Sequence, residues 1–333
     1  MTRLLLILVL AFSASAQAQT KIKFTLDWKF EGQTSFMWLG LQRGYFQKEG
    51  LDVQVDAGNG STAAIQRIHT GAYDAGLGDT SALIEYYGNN AGDTRLQMVY
   101  LQYDEAPIAY YVMKKNNAKT IADLAGKSIA AAPFEVTRKM WPIFAHAAKI
   151  DPAATTFLSV DPSLRTNAVI KGDAFACGGF MNIPLEFAAR GVSRDQITEL
   201  RVSDVGVHVY GNGLMVSTKL IQENPQAVAG LVRALNRSFR ESLADPDASI
   251  KALKAREPLS EEKVEMERYR LLFPAIMTSR VKENGLGAVD AATLAKQVDY
   301  VSESVKLKGK PNPDQLFNAS FLPPKSERML ISK

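Results

Sequence analysis

The residues that could do chemistry in this chain recur at one kind of place, just beyond an apolar, strand-like run. Asp27 and Trp28 follow Lys21 to Leu26 (KIKFTL), whose polar and apolar residues alternate with the period of a strand. The indole can stack on a flat ligand or fill a core, and the carboxylate can accept hydrogen bonds or cap a turn. Ser61 and Thr62 come after the Gly58-Asn59-Gly60 turn at a helix start, where hydroxyls and free N–H groups suit an anionic or carbonyl oxygen. Ser61 would also serve as an ordinary N-cap there. Asp79, Thr80 and Ser81 repeat that chemistry after the next apolar run, and Tyr103 and Asp104 end another. Phe180 and Asn182 lie beyond the run that ends near Cys177. Arg138, at the opening of a helix, can clamp a carboxylate or sulfonate in two-pronged fashion, or pair with Glu135 three residues earlier.

Catalytic and metal chemistry find no such footing. His69, His146 and His208 stand in unrelated segments without metal-ligand spacing, and Cys177 sits within an apolar run as a small hydrophobe. Glu135 and the Glu261-Glu262 pair lack a spaced acidic partner, so no acid/base couple emerges. No cofactor, metal or catalytic residue is expected.

These positions need elements to hold them. Strand-like runs at Asp52 to Asp56, Tyr73 to Leu77 and Gln97 to Gln102 alternate with helices over Ser35 to Glu49, from Ser61 to about Thr70, and from Asp79 onward. A second unit repeats the scheme. It has strands at Lys127 to Ala132, Thr156 to Val160 and Asp173 to Cys177, and helices at Thr120 to Leu124, Thr137 to Lys149 and Asp161 to Lys171. Val207 to Ser217 then returns to extended, apolar sequence, and Pro225 to Lys333 is helical throughout. The alternation predicts an α/β fold of two lobes, each a mainly parallel sheet flanked by helices. The first lobe takes residues 19–111 and 213–333, the second takes 112–212, and two hinge crossings lie near Tyr111 and Asn212. Ligands of such sheets bind at the carboxyl ends of strands, so two facing lobes would share one cleft.

The ends and the composition set the compartment. Arg3, the nine apolar residues Leu4 to Phe12, and Ala16-Gln17-Ala18 read as a secretory leader over residues 1–18. The run is far short of the ~20 residues of a membrane span. With a single Cys, no internal disulfide can form, and roughly 315 remaining residues must rely on their core. No Cys follows the apolar run to take a lipid anchor, which favours a periplasm. The net charge of +4 is well mixed, and the Lys306 to Lys310 cluster is too short for a nucleic-acid stripe. A monomer is expected.

Against this background the chain resembles a known family, the substrate-binding proteins of ABC importers for nitrate, sulfonates, taurine and thiamine-pyrimidine precursors. The resemblance rests on Leu26-Asp27-Trp28 followed by Gly44-Tyr45-Phe46-Gln47-Lys48-Glu49-Gly50-Leu51-Asp52-Val53. Gly58 to Thr62, Gly71 to Gly76, Ile121 to Lys127, Gly172 to Phe175 and Tyr210 to Leu214 support it. It spans Lys21 to about Ala244 and weakens in the helical tail.

The resemblance implies the type II periplasmic binding protein fold, a small organic ligand captured by cleft closure, and an inner-membrane ABC permease as partner. Asp27-Trp28 and Gly178-Gly179-Phe180-Met181-Asn182 are similar to the thiamine-pyrimidine branch, which favours a flat nitrogen heterocycle; a sulfonate or carboxylate is the alternative. Lys29 to Ser35 (KFEGQTS) departs from that branch in lacking its Asn and His, and the acid the branch carries soon after the Asn is displaced here to Glu186. The fold is shared by a fungal thiamine-pyrimidine synthase that resembles this family, but that enzyme carries a cysteine-rich motif and an active-site histidine, whereas this chain has a single Cys and none of its three His in the matching loop. A binding protein that serves sensing in place of transport would present the same cleft. If residues 1–18 are a leader, N-terminal sequencing of protein from the periplasmic fraction begins near Gln19; an intact Met1 recovered with membranes contradicts it.

Overall fold

The computed structural model describes residues 19–331; the expected leader lies outside them. Ten strands form two five-stranded sheets. The first contains β1 (Thr20–Thr25), β2 (Leu51–Asp56), β3 (Ala75–Asp79), β4 (Leu96–Leu101) and β10 (Asn212–Ser217), in the order β2-β1-β3-β10-β4. The second contains β5 (Ile108–Met113), β6 (Ser128–Ala130), β7 (Thr156–Leu158), β8 (Ala176–Phe180) and β9 (Ile197–Arg201), in the order β7-β6-β8-β5-β9. β9 has no counterpart in the sequence reading, because its ITELR stretch carries charge on an edge strand.

Both sheets are mixed, with four strands running one way and one the other, for one reason. The strand that has just crossed from the other lobe, β5 in the second sheet and β10 in the first, enters from the end where its neighbours finish. Each therefore runs antiparallel to the strands beside it. The crossings themselves occupy residues 102–107 and 202–211, so Tyr111 stands in the middle of β5, paired with Cys177 and Glu199, and ahead of it lies the first crossing. Asn212 opens β10, where the second crossing ends.

Local chemistry explains the remaining shifts. The helix expected over Ser35 to Glu49 splits into Ser35–Gln42 and Tyr45–Lys48 because Gly44 takes a left-handed φ of 66° between them. The one expected over Thr137 to Lys149 breaks at Met140, and a new helix starts at Trp141 with Pro142 in its first turn. β8 begins three residues later than Asp173 and runs through Gly178 and Gly179. Those glycines lie in a strand because a Cβ on Gly178 would sit 2.4 Å from the Thr137 hydroxyl oxygen, and one on Gly179 3.2 Å from the Arg165 guanidinium carbon.

The helical tail packs chiefly on the first lobe. The amphipathic helix Pro225–Ala244 lays Val228, Leu231, Val232, Leu235 and Phe239 against Phe24, Phe36 and Phe46 in one core cluster. Each such side chain fully withdrawn from water stabilises the lobe by about 1.5–3 kcal/mol. The tail also reaches further than one lobe. Helix Ala291–Ser304 packs on Thr80–Asn89 of the first lobe and on Trp141–Ala147 of the second, and Leu294, Val298 and Val301 share a cluster with Trp141 and Phe144. From that helix the fully buried Gln297 clamps the return crossing. Its carbonyl accepts the Tyr210 N–H at 2.8 Å, and its amide donates to the Tyr210 carbonyl and to Ser81 Oγ, each at 3.0 Å.

Gln297→Leu therefore strands two backbone groups of the hinge. We expect a loss of about 2–4 kcal/mol in urea unfolding of the ligand-free protein; a change under about 0.5 kcal/mol means that water replaces the amide.

Candidate functional site

The carboxyl ends of the first sheet converge on Asp27. Its side chain is buried and accepts a 2.7 Å hydrogen bond from Asn212 Nδ2 and a long one, 3.4 Å, from Ser61 Oγ. Asn212 in turn ties the crossings together, since its backbone carbonyl accepts the N–H groups of Gln102 and Tyr103 at 2.8 and 3.1 Å. Gln102 continues the chain of contacts, with Nε2 3.5 Å from the Gln33 carbonyl, and Gln33 Nε2 donates to Glu31 at 3.1 Å. Gln33, Gln102 and Asn212 are all buried, and among the described residues the side-chain carbonyl oxygen of each has no hydrogen-bond partner.

The expected site residues divide around this network. Gly60, with φ 104°, holds the N-cap position of Ser61–His69, so Ser61 is the first helical residue and turns its hydroxyl toward Asp27, leaving the cap role to Gly60. Thr62 is exposed on the next position. Asp79 is a buried N-cap that accepts from the N–H groups of Ser81 and Ala82 at 2.8 and 3.2 Å. Thr80 donates to the Gly211 carbonyl at 2.6 Å and so holds the return crossing. Tyr103 is buried in the first core, and Asp104 binds Arg280 and Thr278 of the tail.

Trp28 lies differently from the other two tryptophans. Trp38 and Trp141 are buried in core clusters, whereas Trp28 is half-buried, belongs to none of the clusters and has Lys29 Nζ 5.9 Å from its ring centre. Facing the same turn is Phe134 of the second lobe, nearly half exposed, whose ring stands 3.8 Å from where a Cβ on Gly60 would be. The lobes are in contact here: Lys139 Nζ of the second lies 2.6 Å from Glu85 Oε2 of the first.

On the second lobe, Phe180 is half-buried and packs against both large clusters, and the half-buried Asn182 precedes helix Ile183–Ala188 without capping it through its side chain. Arg138 does not pair with Glu135. It donates to Ser159 Oγ at 2.7 Å and stacks over Phe157, while Glu135 is taken by Arg165, which also binds Glu186 at 2.8 Å. Arg165 is thus a buried cation between two carboxylates. Sequence reasoning missed it, as it missed Phe134, Gln33 and Gln102. Only Gln102 carried a signal, its place as the last residue of a strand-like run.

A family model described as "NMT1/THI5 like" matches residues 32–249. The chain belongs to that family. Asp27 and Trp28 precede the matched segment. Among its relatives, the riboflavin-binding protein RibY of Chloroflexus aurantiacus is 24% identical over 291 residues, which cover 84% of this chain and 80% of that protein. The formylaminopyrimidine-binding protein of Halalkalibacterium halodurans is 23% identical over 259 residues, 76% of each chain. The periplasmic aliphatic sulphonate binding protein SsuA from Escherichia coli aligns with a TM-score of 0.71 at 14% identity, over 89% of this chain and 91% of that one. That likeness establishes the fold: the two lobes expected from the alternation of elements have the periplasmic binding protein architecture that the resemblance implied.

In this NMT1/THI5-like chain a cavity of about 450 Å³ lies between helices Pro246–Arg256 and Glu262–Arg270 and contains none of the strand-end residues. The strand ends are distinguished by electrostatics. Burial raises the Asp27 carboxyl above its ordinary range, against the Asn212 hydrogen bond that lowers it. Burial likewise raises Asp79, to about 6, against the N–H groups of Ala82 and Ser81, and the nearby Asp27 charge pushes it further. Cys177 is buried and desolvation raises its thiol, which disfavours the thiolate.

An acid raised in the folded state holds its proton more tightly there. Asp79 therefore adds stability as pH falls from about 6 toward its ordinary value near 4, and that stability is lost as pH rises through 6. Asp79→Asn keeps a good N-cap and removes the titration. Denaturation at pH 4.5 and 7.5 should show the wild type losing about 1–3 kcal/mol relative to this variant on going to the higher pH; parallel curves contradict the assignment.

Proposed function

We propose that this protein is an extracytoplasmic solute-binding protein that captures a flat, uncharged nitrogen heterocycle and delivers it, as a monomer, to an ABC permease of the inner membrane. The lobe boundaries of the reading are the two crossings, about which the lobes close on the ligand. The observation that carries it is the pairing of a half-buried indole, Trp28, with the buried Asp27–Asn212 couple at the strand ends. A ring lying on Trp28 can present N–H groups to the oxygens beneath it. Ser61, Phe134, Phe180 and Asn182 complete the wall, with Asp79, Thr80 and Tyr103 supporting it from behind.

The family and the names of the two relatives support binding over catalysis, and a thiamine-pyrimidine-precursor-like compound or a flavin fits the chemistry. An alkanesulfonate is less well served. Arg138 is engaged by Ser159 and Phe157, and Arg165 is already offset by two carboxylates.

Calorimetric titration with riboflavin, formylaminopyrimidine and an alkanesulfonate tests the reading, with indole emission followed in parallel. A heterocycle should bind, and Trp28→Ala should weaken it by about 1–3 kcal/mol through lost ring burial and stacking while leaving the melting temperature of the free protein nearly unchanged. A variant that melts much earlier yet binds normally would make Trp28 a core residue. Binding of the sulfonate alone would replace the heterocycle by an anion.

A further inference from the structure

Gln33, Gln102 and Asn212 are 7%, 3% and 3% exposed, and each leaves its side-chain carbonyl oxygen without a donor among the described residues. An amide can be turned end for end at little cost in shape, so what decides its polarity is the neighbour of its nitrogen. In all three the nitrogen faces an oxygen. Asn212 Nδ2 faces the Asp27 carboxylate at 2.7 Å, Gln102 Nε2 faces the Gln33 carbonyl at 3.5 Å, and Gln33 Nε2 faces the Glu31 carboxylate at 3.1 Å. Turning any of them would set oxygen against oxygen.

Glu31 is itself fixed from outside the site. Arg268 Nη1 lies 3.6 Å from Glu31 Oε2, and Arg268 Nε donates at 3.0 Å to Glu265, whose carboxylate also accepts the Gly32 N–H at 2.6 Å. The turn is pressed close enough to helix Glu262–Arg270 that a Cβ on Gly32 would lie 2.1 Å from the Glu265 carbonyl oxygen. Gln33 is therefore carried on a turn whose place and polarity are both set by that helix.

We propose that Glu31, held by Arg268, is a specificity-determining residue that does not touch the ligand. By fixing the Gln33 amide it completes an array of three buried acceptors, and that array selects ligand edges bearing N–H donors, such as an imide or an exocyclic amine. This rests on the heterocycle reading above. A buried acceptor left without its donor weakens binding by about five- to a hundredfold, so an N-methylated ligand of unchanged shape elsewhere is discriminated against at the array. In Glu31→Gln the new amide can offer Gln33 either an oxygen or an N–H, and Gln33 is free to turn.

The probes are riboflavin and formylaminopyrimidine, each paired with a derivative methylated at its N–H, titrated into the full-length mature protein. Wild type should bind a parent compound at least about tenfold more tightly than its methylated derivative. Glu31→Gln should narrow that ratio to within about threefold, and adding Gln33→Glu, which can only accept, should restore it; a purely structural role for Glu31 would not be rescued so. A Glu31→Gln protein that keeps the full ratio, or weakens both ligands equally, overturns the role of Glu31. A wild type that binds parent and methylated compounds alike overturns the acceptor array while leaving the heterocycle reading intact. Binding of none of the probes, or of an alkanesulfonate alone, overturns both.

Discussion

Everything at the centre of this molecule depends on how one residue, Asn212, satisfies two strands of chain that leave one lobe for the other. A crossing segment has no sheet to pair with, and its backbone groups are costly to bury unpaired. The carbonyl of Asn212 accepts both Gln102 and Tyr103, Gly211 N–H donates to the Tyr103 carbonyl at 3.0 Å, and Ala106 N–H donates to that of Val209 at 2.7 Å. The crossings thus pair with each other where neither lobe can pair with them. The side chain of the same Asn212 then engages Asp27. Hinge and candidate site share an atom-level joint, so a change in the angle between lobes cannot leave the environment of Asp27 untouched.

That joint also explains why the tail matters. Gln297 supplies the Tyr210 backbone with the two hydrogen bonds a neighbouring strand would have given, Tyr210 hydroxyl accepts the Asp290 N–H at 2.8 Å, and Arg280 holds Asp104. These tail contacts fall on the two crossings. A helical tail that only thickened the first lobe would have no reason to place a fully buried amide there. Its apolar face on helix Trp141–Ala147 of the second lobe makes it a third strap between the lobes, added to the two the chain itself provides.

Much of this was legible in the sequence because period-two and helical patterns are local. The strands ending before Asp27 and Gln102 were found within a residue or two, and the resemblance carried on Gly44 to Val53 led to the right family. What was not legible depends on distant partners. Gly178 and Gly179 look like a loop until Thr137 and Arg165 are known to fill the space beside them. Sequence spacing offers Glu135 the cation of Arg138, three residues later, whereas packing gives the carboxylate to Arg165 from another helix. Trp28 was open between wall and core; its half-buried state puts it in no core, although whether a ligand touches it belongs to the proposal.

The electrostatic character of the strand ends follows from which groups burial leaves exposed to one another. Burial raises both Asp27 and Asp79, and the Asp27 charge further resists the ionisation of Asp79. A sulfonate or carboxylate brought beside them would have to share a poorly hydrated space with two acids and three carbonyl oxygens, all of which repel it. A neutral ring edge with N–H groups meets the reverse situation: each donor relieves an oxygen that is otherwise unpartnered, and hydrogen bonds to the charged form help hold Asp27 ionised. On the proposed heterocycle reading, the same burial that makes the carboxylates reluctant to ionise would make the site discriminating, because the free energy of binding would come from satisfying oxygens that the protein does not satisfy alone.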